Sequence, residues 1–348
     1  MNTSDRTIAG YSLTEPGEGW EEILAAFRAL GGVADNICLG RGQHGWGLFP
    51  IEPDQLFRLH VPENLTFPVE DIRFAGDHIR VSQSAGIPKP EREFFEKYAN
   101  ALSWGGGGRQ ELSALAAAFD ALPSDVRTLL VTEFGMAPWI EGEPALRTQA
   151  QFLQGYAVGF RGRKVLVPLF ELANHDGRGL EWSTERGVEF AGQGNGEIHV
   201  SYGLHDSFSM FHRFAIASRE PVAFSLPMNL QIGPIALAIE RTFEVTRRGD
   251  TIGPQLINTG ESLALSFLVL GHSDRPRLPR GAFLGLMKPL GVANADEEFD
   301  KILHANRMKF LKLLAALDAY RGELIVGLRN MALYQLEAMS FCVGARED

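Results

Sequence analysis

Three short stretches of this chain carry residue types able to do chemistry. Residues 165–175 read VLVPLFELANH, an apolar run ending in an amide and an imidazole. Val165, Leu166, Val167, Leu169, Phe170 and Leu172 predict a strand buried on both faces, with Asn174 and His175 emerging where the chain leaves the core. An asparagine offers both a donor and an acceptor, so the pair can read a planar hydrogen-bonding ligand. Residues 196–203, GEIHVSYG, predict a second strand that delivers the phenol of Tyr202 and is closed by a glycine. Upstream, residues 40–49, GRGQHGWGLF, set Trp46 between Gly45 and Gly47. Such glycines permit positive φ and close approach of a ligand to main-chain N–H and C=O groups. Taken singly, each stretch also has a plain structural reading: a glycine hairpin, an asparagine closing a strand, a core histidine, a packed tyrosine. Glu171, His175 and Asp176 are potential metal ligands, but no second histidine stands at ligand spacing, and no metal is expected.

The elements that must position these residues are legible from periodicity. Residues 20–30 place Trp20, Ile23, Leu24, Phe27 and Leu30 at helical spacing, with Gly31-Gly32 as the stop. Residues 36–39 and 47–49 read as short strands around the glycine turn, and residues 56–67 alternate as a further strand interrupted by Pro62 and Pro68. Residues 91–101, 110–122 and 124–134 read as helices, the last opened by Pro123-Ser124-Asp125. Between the first two lies Trp104 with four following glycines and Arg109. No Lys-Ser/Thr follows, so a phosphate loop is set aside and the segment is expected to be a flexible connector. Residues 165–203 return to strands. Beyond Pro221 the pattern is largely helical, over residues 235–245, 261–270, 297–320 and 323–341.

At 348 residues and 45% apolar content, the chain is long enough for two domains with real cores. Its longest apolar runs are too short to span a bilayer, and its first residues lack the pattern of a signal peptide, so a cytoplasmic location and no membrane partner are expected. Cys38 and Cys342 are the only cysteines, which excludes a disulfide framework or a cysteine zinc module. A formal charge of −10 without a Lys/Arg cluster argues against nucleic acid and is compatible with a cationic partner.

In their order and spacing, and in the shared VP, NH and SYG, the three stretches resemble the SET-domain lysine methyltransferases, most closely the branch that includes the Rubisco large-subunit methyltransferases. The resemblance covers about residues 30–225. It implies an α+β fold: a SET domain of several small β-sheets over residues 1–225, split by a helical insert at about 75–164, then an α-helical C-terminal domain over 226–348 that recognises the substrate. It further implies S-adenosyl-L-methionine as cofactor, held by Gly45, Trp46, Gly47, Asn174 and His175. Tyr202 becomes the catalytic residue, with Phe214 and Ser201 on the substrate side, and the partner becomes a protein with an accessible lysine. The chain departs from the family pattern at several points. Glu171 stands for an aspartate, Leu204-His205-Asp206-Ser207 replaces a lysine-asparagine pair, Phe214-Ala215-Ile216 replaces YGF, and Gly159-Phe160-Arg161 replaces a Ser-Arg pair. Either Arg161 or Arg163 is then the candidate for meeting the cofactor carboxylate. These departures leave two other readings open, a SET-like binding module without catalysis and an S-adenosylmethionine-dependent enzyme acting on a small amine.

Overall fold

The computed structural model of the protein describes residues 6–8, 11–13, 18–42, 45–241, 253–258, 260 and 262–344. Gln43 and His44 of the glycine-rich stretch lie outside the described residues, as do residues 242–245 and Glu261 of two expected helices. The architecture is α+β, with many two- to four-stranded sheets and long helices at the C-terminal end. The chain divides into two compact units, one built from residues 1–114 and 143–203, the other from 115–142 and 204–348.

In the first unit the helix Glu18–Ala29 buries Trp20, Ile23, Leu24 and Phe27, the face that helical spacing picks out. Leu56–Pro62 buries alternate residues Phe57, Leu59 and Val61 and pairs antiparallel with Val33–Asp35 on one side and Gly187–Gln193 on the other. The glycine hairpin pairs Ile37–Gly42 with Gly45–Pro50. A small sheet joins Ala157–Phe160, Arg163–Leu166 and Phe67–Pro68, and Asn174–Leu180 runs parallel to His199–Val200.

The run at 165–175 is buried as expected but is not one strand. The strand stops at Leu166, Leu169 takes a left-handed φ of 64°, a 3₁₀ turn covers Phe170–Leu172, and a new strand begins at Asn174. Pro168 has no N–H to give a sheet, so the ladder ends and the apolar side chains fill the core from a turn. Tyr202 likewise lies beyond its strand, which ends at Val200. The glycine stretch after Trp104 is also not a flexible connector. Trp104–Gly108 form a π-helical turn in which Trp104 is buried and its indole N–H donates to the Asp77 carbonyl at 3.1 Å. A Cβ on Gly105 would overlap the Asn100 carbonyl, and one on Gly106 would lie 2.8 Å from that of Ala101, so a tight backbone turn accounts for the glycines.

In the second unit the described residues of the segments expected as helices at 235–245 and 261–270 form no helix and contribute strands instead. Met228–Ile232, Ile235–Ile239, Leu263–Leu265 and Leu256–Asn258 make one sheet, and Val222–Phe224 pairs with Val269–His272. Leu237 and Ile239 are buried while Ala236 is exposed, so the period is two; over so few residues an apolar pattern at spacing two and four fits either element. The helices Ala295–Leu317 and Glu323–Gly344 form as expected, and Gly271 lets the second lie flush on Val269–His272, since a Cβ there would strike the Ala338 carbonyl. Trp139, from the insert, donates through its indole to the His212 carbonyl at 2.6 Å and stacks on Phe119, while Phe134 meets Phe310 edge-on. Residues 115–142 therefore share a core with the C-terminal helices.

Candidate active site

Each of the three stretches singled out by residue type belongs to the first unit, and the fold brings them together. The hairpin strand Gly45–Pro50 carries Trp46, a residue 37% exposed, with the Arg41 guanidinium over its ring. A bridge between Leu48 and Ile198 joins this hairpin to the stretch leading into Tyr202. The parallel pairing sets Asn174 opposite His199 and His175 opposite Val200. In consequence the Asn174 amide donates to the Trp46 carbonyl at 3.0 Å. The Tyr202 backbone N–H donates to His175 Nδ1 at 3.1 Å, with the two rings 5.0 Å apart. The Tyr202 hydroxyl donates to the Ala173 carbonyl at 2.9 Å, which fixes the phenol at two points. Ser201 is buried; its carbonyl accepts from the Trp182 indole at 2.8 Å, and its hydroxyl accepts from the Gly203 N–H.

Phe214 belongs to the second unit, at the end of the helix Ser207–Phe214, with the His205 ring edge-on to it and the Arg213 guanidinium over it. Asp206 is wholly buried and caps this helix. It accepts from the Ser209 N–H at 2.8 Å, Arg241 at 2.7 Å and Gln335 at 2.6 Å. Burial pushes its pKa up, yet Arg241 and these donors hold it below the usual carboxylate range. Arg161 and Arg163 make exposed pairs with Glu63 and Glu70 respectively.

The glycines differ in what they make room for. Gly45 has a φ of 96° and open space where a Cβ would stand, so a ligand can reach its backbone. Over Gly42 and Gly47 the space is filled by the carboxylate of Glu197, a side chain only 2% exposed, whose Oε1 accepts from the Asn174 amide at 2.5 Å. Residue-type reasoning missed Glu197 because strand alternation puts it on the same face as His199 and Ser201, where a carboxylate ordinarily meets water. The signal was the pair of bare glycines opposite. Gly47→Ala is expected to cost about 1–3 kcal/mol, because its Cβ would drive into Glu197 and lie 3.1 Å from Asn174 Nδ2. Denaturant unfolding measures this, and an unchanged midpoint would mean that Glu197 moves aside freely.

Glu171, also weighed as a metal ligand, points inward. Tyr98 donates to its Oε1 at 3.1 Å, while Oε2 is buried without a hydrogen bond. Burial raises its pKa to about 7, against smaller opposing effects of the Ser103 and Tyr98 hydroxyls. The same burial, with Glu171 and Glu111 nearby, raises Tyr156. Among the described residues no cluster of three His, Cys, Asp or Glu side chains is arranged to hold a metal ion, and no helix is long and apolar enough to cross a membrane.

No protein-family model and no curated protein matches this chain. The chain is similar to solved structures of LSMT. One is a structure of Rubisco LSMT bound to AdoMet, with a TM-score of 0.46 and 10% identity over 95% of this chain and 92% of that one. Another is a crystal structure of the SET domain of LSMT bound to lysine and AdoHcy, with a TM-score of 0.43 and 10% identity over 95% and 91%.

Proposed function

We propose that this chain is a SET-fold, S-adenosylmethionine-dependent methyltransferase acting on a lysine side chain of a protein. The observation that carries the reading is the meeting of three stretches distant in sequence. Asn174 bonds Trp46 of the glycine hairpin, and His175 bonds the backbone of Tyr202. In this reading the main chain of Gly45, Trp46 and Gly47, with Asn174 and His175, holds the cofactor. The donor set fits: an open-sided glycine at positive φ, an asparagine amide, and a phenol fixed at its backbone and hydroxyl. When bound, S-adenosylmethionine supplies a methyl group on a sulfonium, ready for in-line displacement.

The protein's task is then positioning and electrostatics. Tyr202 accepts a hydrogen bond from the incoming amine and turns its lone pair toward the methyl. The lysine arrives with a pKa of about 10.4 and gives its proton to solvent before attack. Ser201 and Phe214 serve the substrate side. The SET domain corresponds to residues 1–225 with its insert at about 75–164, and residues 226–348 meet the protein substrate away from its target lysine. A net charge of −10 favours such a cationic partner, and a cytoplasmic location is consistent with both cysteines being free.

The test is to incubate the purified chain and labelled cofactor with a cell lysate and locate methylated lysines by mass spectrometry. Label on no protein, or on free small amines only, would sink the protein-substrate reading. Asn174→Ala is expected to weaken S-adenosylmethionine binding at least about tenfold, a loss of roughly 1–3 kcal/mol for an unmatched buried polar edge. Calorimetry reads it, and equal affinity in the folded variant would remove Asn174 from the cofactor site.

A further inference from the structure

Glu197 is a carboxylate buried where one is costly. Its side chain is 2% exposed, and among the described residues its one ion-pair contact is His199 Nε2 at 3.9 Å, beyond hydrogen-bond reach. Its carboxylate packs onto the bare Cα atoms of Gly42 and Gly47, and its Oε1 takes a charge-assisted bond from Asn174 Nδ2 at 2.5 Å. The same Nδ2 donates to the Trp46 carbonyl at 3.0 Å. A carboxylate and a backbone carbonyl can only accept, so the amide nitrogen must face them, and both of its hydrogens are used. The amide oxygen is left as the group that Asn174 can offer to a ligand.

We infer that Glu197 is a positioning residue that locks the Asn174 amide in one orientation, so that Asn174 serves the bound cofactor only as a hydrogen-bond acceptor, facing an amino or ammonium donor. Gly42 and Gly47 are the room this lock requires. The orientation follows from the contacts alone, whereas the identity of the ligand rests on the proposed methyltransferase function.

The test is a double-mutant cycle read by calorimetry with S-adenosylmethionine, using Glu197→Met to remove the acceptor at similar length and Glu197→Gln to keep an acceptor oxygen without the charge. Glu197→Met should weaken binding about tenfold in the parent and not at all in the Asn174→Ala background, while Glu197→Gln stays within about threefold of the parent. An equal loss in both backgrounds, no loss in either, or a Gln variant as weak as Met would overturn the inference. A second measurement needs no ligand. In the parent protein, the side-chain NH₂ resonances that disappear in Asn174→Ala should be protected from hydrogen exchange; unprotected ones would overturn the lock directly. Should the parent bind no S-adenosylmethionine while those protons are protected, the proposed function falls and the lock stands.

Discussion

Tyr202→Phe is expected to lower methyl transfer by about two orders of magnitude while leaving S-adenosylmethionine affinity nearly intact. The phenol donates its proton to the Ala173 carbonyl, so what remains for an approaching amine is an oxygen with lone pairs. In the proposed mechanism that oxygen would orient the nucleophile and set the negative end of its dipole near the sulfonium charge, and a phenyl ring would do neither. Folding should suffer little. The deleted bond is a neutral one worth about 1 kcal/mol, and the backbone N–H that reaches His175 is untouched by the substitution. The kinetic split is therefore diagnostic: kcat falls, and cofactor affinity by calorimetry does not. Turnover equal to the parent would make Tyr202 a packing residue beside His175 and remove it from the chemistry. A large fall in cofactor affinity would place the phenol in the cofactor pocket.

The convergence of the candidate residues was more legible than the elements carrying them. Asn174, His175 and Tyr202 could be picked out because polar groups at the ends of apolar runs are uncommon, whatever the backbone does in between. The backbone was harder. In the 165–175 run, burial depends only on composition, but strand continuity depends on Pro168 and on the left-handed turn at Leu169, a conformation that no leucine announces. The strands Ile235–Ile239 and Leu263–Leu265 are held by pairing with each other across sequence distance, and such pairing leaves no mark in a short apolar segment. Glycines mislead in a related way. Those at 105 and 106 mark a tight turn, and Gly42 and Gly47 mark space for a carboxylate; a bare Cα says that something comes close without saying what. Glu197 belongs to this class, since its burial exists only once the hairpin and the Ile198 bridge are in register. The helices Ser124–Phe134, Ala295–Leu317 and Glu323–Gly344 were legible because many turns average out such local ambiguity.

The largest stability effect is expected at Glu171, with a sign opposite to that of most carboxylates. Its ordinary pKa of 4.5 rises to about 7 in the folded chain because burial penalises the charged form more than the Tyr98 and Ser103 hydroxyls favour it. Below pH 4.5 the group is protonated both folded and unfolded and contributes nothing to the pH dependence. Between 4.5 and about 7 the unfolded chain gives up this proton while the folded chain keeps it, so stability falls as pH rises, by up to about 1.4 kcal/mol per pH unit. Above about 7 both states are charged and the full penalty, about 3 kcal/mol on this scale, persists. Glu171→Gln keeps the oxygen that accepts from Tyr98 and removes the charge. It should therefore stabilise the protein by about 2–3 kcal/mol at pH 8 and make little difference at pH 4.5, where the parent is already neutral at this position. Urea unfolding of parent and variant at the two pH values measures both differences. A Gln variant no more stable than the parent at pH 8 would show that the folded protein accommodates the carboxylate at ordinary cost, through water or a shift of Ser103 ahead of the π-helical turn. A variant less stable at both pH values would show instead that Glu171 Oε2 has a hydrogen-bond role that an amide cannot fill.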